Sequence, residues 1–186
     1  MGQDPDEEWR TLWKRFRKYF TDYGGRNAVL RSPFFWVAVL LSIGSFRLWH
    51  FEWTEHCRQI IPGLLGFSLG TYAILFSIIG PRLKGAMKAI KNDEGVAYLD
   101  EMNATFFHFI LIQVLAIGLS FVRTASFFRD LPTFLFGKSL MIEYPSIIFN
   151  FTLGIVGTFL FFYSLFLTIA AALVVYRLSG IVEPAE

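Results

Sequence analysis

Apolar residues are set along this chain in two rhythms. Four stretches, about 33–50, 60–80, 104–122 and 146–176, stay apolar over most of their length, and each approaches or exceeds the roughly 20 residues of helix that a bilayer requires. The last is about 31 residues long, roughly 46 Å of helix against a hydrocarbon core of about 30 Å, so it must tilt or project beyond the membrane. Ahead of them the rhythm is amphipathic. Trp9, Leu12, Trp13, Phe16, Tyr19, Phe20 and Tyr23 fall within an arc of about 120° at 100° per residue, with Arg10, Lys14, Arg15, Arg17 and Lys18 on the other side. Asp4, Pro5 and the acidic run Asp6-Glu7-Glu8 predict the helix start, and Gly24-Gly25 its end. Such a helix suits the membrane interface.

The predicted fold is therefore all-α and polytopic, with four transmembrane helices and an amphipathic amino-terminal interfacial helix. Residues 1–32 form a basic cytoplasmic arm, 33–178 the transmembrane bundle and 179–186 a short tail. Trp36 is expected near one membrane edge, and Trp49 and Trp53 near the other. After the second span an amphipathic segment carries Lys84, Lys88 and Lys91 on one face and Leu83, Met87 and Ile90 on another. The loop over 123–145 is apolar but broken by Pro132 and Gly137, as an interfacial or re-entrant segment would be.

Composition agrees with the pattern. Of 186 residues, 54% are hydrophobic and 17% charged, against about a quarter charged in soluble domains. No segment outside the spans reaches the roughly 50 residues of a small domain, which excludes a soluble catalytic domain. The net charge of +2 hides an asymmetry. Arg10, Lys14, Arg15, Arg17, Lys18, Arg26 and Arg31 precede the first span, Arg82, Lys84, Lys88 and Lys91 follow the second, and Arg177 follows the fourth. Five cations, Arg47, Arg58, Arg123, Arg129 and Lys138, remain for the other side, so both termini are expected in the cytoplasm. These cations flank spans and interleave with aromatics, a pattern for anionic inner-leaflet lipid rather than nucleic acid. The acidic start argues against a cleavable signal peptide. A single cysteine, Cys57, allows no internal disulfide, and short loops without paired cysteines point to a bacterial inner membrane.

Two stripes and one histidine carry the candidate chemistry. Gly63, Gly66, Gly70, Ala73 and Ser77 in the second span recur at intervals of three and four, the spacing at which small residues let helices approach closely in lipid. In the fourth span Asn150, Gly154, Gly157, Ser164 and Thr168 lie on one line interrupted only by Phe161. Polar positions at such depth turn toward protein or a water-filled path, so the line is either interhelical packing or a pore lining gated by Phe161. His108, about one turn into the third span, is the ionisable candidate for gating. Gly66-Phe67-Ser68-Leu69-Gly70 spells the nucleophile-elbow motif, but an elbow needs a strand-to-helix turn, and these glycines belong to a helical stripe. The His50-to-Cys57 segment offers ligand types without metal-site spacing. Neither catalysis nor a metal or cofactor is expected. The general plan resembles small membrane components that work beside cytosolic partners, antiphage and stress-response systems among them. The expected function is a homo-oligomeric inner-membrane protein that forms or regulates a pore; the alternative is a membrane sensor or anchor subunit that docks a cytosolic partner.

Overall fold

The computed structural model describes residues 5–49, 52–125 and 143–182. Among these the chain is almost entirely helical: α1 (Pro5–Asp22), α2 (Gly25–Arg31), α3 (Pro33–Gly44), a 3-10 turn (Phe46–Trp49), α4 (Glu52–Ile78), α5 (Pro81–Ala89), α6 (Tyr98–Thr124) and α7 (Glu143–Val182), with an isolated bridge between Lys91 and Ala97 in the turn before α6. The chemistry of the helix ends explains several boundaries. Asp6, Glu7 and Glu8 occupy the first turn of α1, where they complement the helix dipole. Pro33 and Pro81 open α3 and α5, since proline lacks only an N–H that has no helical partner there. Between α1 and α2 the chain turns at Gly24 and Gly25, with φ of 91° and 64°, a left-handed conformation that side chains avoid.

Three helices are long and apolar enough to cross a membrane: α4, α6 and, within α7, Phe151–Tyr176. The bent pair α2 and α3, with 63° between its axes, makes a fourth only if counted as one broken span. The first expected span is thus shorter than the pattern implied. α3 has 12 residues, about 18 Å of helix, and the 3-10 turn carries the chain on to Trp49. Phe35 packs on Phe159 and Tyr163, while Trp49 packs on Phe151, so α3 and the turn run antiparallel to α7.

α4 starts eight residues before its expected position and runs through Pro62. Residues 52–57, expected in an outer loop, are helical because Trp53, Cys57 and Ile61 form a buried line at intervals of four. Trp53 is 0% exposed, so its ring packs inside the bundle. α7 has 40 residues, or about 60 Å. The apolar loop expected over 123–145 lies largely outside the described residues, as do His50 and Asp4.

The core has two apolar parts. Trp53, Cys57, Ile61, Ala116 and Phe161 form one; Ala38, Ile79, Met87, Leu99, Phe106, Phe109 and Leu167 belong to the other. By position along α4 and α6, a polar layer lies between them. The Gln113 Nε2 donates to Ser68 Oγ at 3.2 Å and to Thr168 Oγ1 at 3.4 Å, and Gln113, Ser68 and Ser164 are fully buried. Ser164 and Thr168 donate to the carbonyls of Leu160 and Ser164 at 2.7 and 3.1 Å.

Candidate functional site

The two stripes sit in opposite environments. Gly63, Gly66, Gly70, Ala73 and Ser77 are all exposed, and a Cβ built on any of the three glycines meets nothing within 4 Å. Among the described residues this face of α4 packs against nothing. The α7 line turns inward. A Cβ on Gly154 would lie 1.9 Å from the Trp49 carbonyl oxygen, and one on Gly157 would lie 2.4 Å from the Trp53 ring. The two glycines therefore form a notch that only a bare backbone provides. Phe161 is buried among Trp53, Cys57 and Ile61, and Ser164 and Thr168 bond within the polar layer, so in the single chain the line is packed rather than open. Asn150 lies in α7, and its side chain is outside the described residues. Ser68 is mid-helix and accepts from Gln113, which is not the geometry of a nucleophile elbow.

His108 stands where the amino-terminal arm meets α6 and α7. Its Nδ1 lies 2.7 Å from the Tyr19 hydroxyl and its Nε2 3.1 Å from the Tyr163 hydroxyl. A neutral imidazole has one donor and one acceptor nitrogen, so one tyrosine then donates to the ring and the other accepts from it. Tyr23 stacks on the imidazole with centroids 4.2 Å apart, and Tyr19 meets Phe107 edge-on at 4.7 Å. Outside this node Lys18 pairs with Asp22 and reaches Asp100 at 3.8 Å. The arm is thereby attached to α6 by a polar link, an aromatic link and an ionic link.

Burial acts on these arm groups. It pushes the Tyr19 phenol up to about 12, with Tyr23 adding to the effect, and it raises the Tyr23 phenol as well, opposed by a hydrogen bond with Tyr163. The hydrogen bond with Asp22 raises the Lys18 ammonium. All three shifts preserve the protonated form that makes the contacts.

Sequence reasoning singled out His108 and placed Tyr19 and Tyr23 only as apolar members of the arc. It missed Tyr163 altogether. The available signal was chemical: a histidine inside an apolar span needs polar partners, and tyrosines on the arm and on α7 are the residues that combine an apolar body with a hydroxyl. Of the expected lipid-binding cations, Lys18 is engaged with the bundle, while Arg10, Lys14, Arg15 and Arg17 are exposed. Comparison with protein-family models, curated proteins and solved structures gives no match to this chain.

Proposed function

We propose that this protein is a membrane sensor or anchor subunit of a bacterial inner membrane, in which the amphipathic arm lies on the cytoplasmic leaflet and docks a cytosolic partner through its charged face and the 82–103 segment. One observation carries this reading. The arm is hydrogen-bonded through Tyr19 to His108 and onward to Tyr163, so a displacement of the arm at the surface changes polar contacts inside the bundle. A helix that only adhered to lipid would need no such link. The antiparallel course of α3 along α7 supports a fourth crossing and hence both termini on one side, and the excess of cations there makes that side the cytoplasm.

The test places spin labels on Thr11 and Asn92 of the full chain in a Cys57→Ser background, reconstituted with or without anionic phospholipid. The expected result is a longer arm-to-bundle distance in one lipid than in the other, abolished in Tyr19→Phe. Identical distances in both lipids would remove the sensor reading.

A second reading, a homo-oligomer that forms or regulates a pore, draws on the exposed small face of α4. Because Gly154, Gly157 and Phe161 pack inside the protomer, a path in such an oligomer would run between protomers along α4. Crosslinking of Gly66→Cys and Gly70→Cys chains in membranes, followed by bilayer recording of the purified oligomer, tests it.

A further inference from the structure

Where α1 leaves α6, the two helices enclose a groove of about 580 Å³, within the range of small-ligand sites, which is about 300–1,000 Å³. Trp9, Leu12, Trp13, Phe16 and Phe107 supply its walls, and Arg15 stands at its rim. Trp9 and Trp13 are 71% and 69% exposed, a large aromatic surface that water would leave uncovered at a cost. Two further features say what covers it. Phe107 shares one face of α6 with Val114 and Phe121, at intervals of seven, and all three are exposed; the groove thus opens onto the line that a membrane-crossing α6 presents to lipid chains. The second feature is charge. On α1, Arg15 borders the apolar arc on the side toward Tyr19 and α6; it also lines an adjoining cavity with Glu7, Glu8 and Thr11, but among the described residues it makes no ion pair within 4.0 Å and no hydrogen bond.

We infer that this groove is a binding site for a single anionic phospholipid, one acyl chain lying between the Trp9–Trp13 face and Phe107, with its phosphate on Arg15. The inference rests on the arm lying at the membrane, and it goes beyond general attraction to an anionic surface. A diffuse surface would respond to every cation of the arm alike, since each contributes about the same near anionic lipid. A built site responds to Arg15, whose guanidinium suits phosphate geometry, and not to Lys14, which points about 100° away around the helix.

The experiment titrates the full-length protein in detergent micelles with phosphatidylglycerol bearing brominated acyl chains, or with the matching phosphatidylcholine, and reads tryptophan quenching. The saturable part of the quenching should reach one phosphatidylglycerol per chain, be lost in the Trp9→Phe/Trp13→Phe protein, where Trp36, Trp49 and Trp53 remain, and favour phosphatidylglycerol about fivefold. Arg15→Gln should abolish the preference and Lys14→Gln should retain it. Phe107→Ala, which removes a wall of the groove together with the edge-on contact to Tyr19, should weaken both lipids equally. Equal losses at Lys14 and Arg15, or quenching that never saturates, would overturn the site while leaving the arm at the membrane. Protection of Trp9 and Trp13 by a second copy of the chain, seen as concentration-dependent loss of quenching, would overturn it as well. Spin-label distances indifferent to lipid would instead count against the sensor reading.

Discussion

Two glycines and one tyrosine give the sharpest single-residue expectations. Gly154→Ala and Gly157→Ala each place a methyl group where the Trp49 carbonyl or the Trp53 ring already stands. Neither neighbour is the free end of a flexible side chain, so overpacking should cost about 1–3 kcal/mol, seen as a lower Tm of the protein in detergent. Gly70→Ala enters open space and should leave the Tm unchanged or slightly raised, because alanine is the better helix former. Gly154 and Gly70 look alike in sequence, and only the neighbours separate them. Removing the Tyr19 hydroxyl tests the arm's attachment. A net hydrogen bond contributes about 0.5–1.5 kcal/mol, so Tyr19→Phe should accelerate trypsin cleavage at Lys14 to Lys18 roughly fivefold, and an unchanged rate would mean that the aromatic and ionic links suffice.

At the scale of elements, docking of α1 should be insensitive to pH across the neutral range and lost in strong base. The Tyr19 phenol is held up to about 12 in the folded chain, against about 10 when unfolded. Its contribution is therefore complete below pH 10 and lost as pH rises through about 12. The raised Lys18 ammonium acts in the same direction. Ultraviolet titration should show a tyrosine class that ionises late, reduced in Tyr19→Phe; a single transition near 10 would contradict the docked arm. The helical class of α1 and α5, the arm's amphipathic face and the three long apolar helices were legible in the sequence, because each follows from a local period, whereas the short helix α2 was not. Three further things were not. α3 stops at Gly44 although the apolar run continues, since hydropathy does not record a change from α-helix to a 3-10 turn. The early start of α4 was hidden by polar neighbours of Trp53 and Cys57. The direction each small stripe faces depends on partners distant in sequence, and periodicity carries no such information.

For the whole molecule, three helices, or four if the bent pair α2 and α3 is one span, are long and apolar enough to cross a membrane, and parity distinguishes the two. Reporter fusions after Asn92, Lys138 and Glu186 should read inside, outside and inside, with the amino terminus inside. An amino terminus on the opposite side from the carboxy terminus would mean that α3 dips in without crossing. The notch in α7 has a further consequence for how the chain is made. Gly154 receives Trp49 and Gly157 receives Trp53, partners about a hundred residues apart in the chain. Synthesis proceeds from the amino terminus, so α3, α4 and α6 emerge well before the surface that seats those two tryptophans exists. During that interval the early helices lack those contacts, and α7 acts as the closing piece. A chain without α7 therefore leaves Trp49 and Trp53 with no notch to seat them.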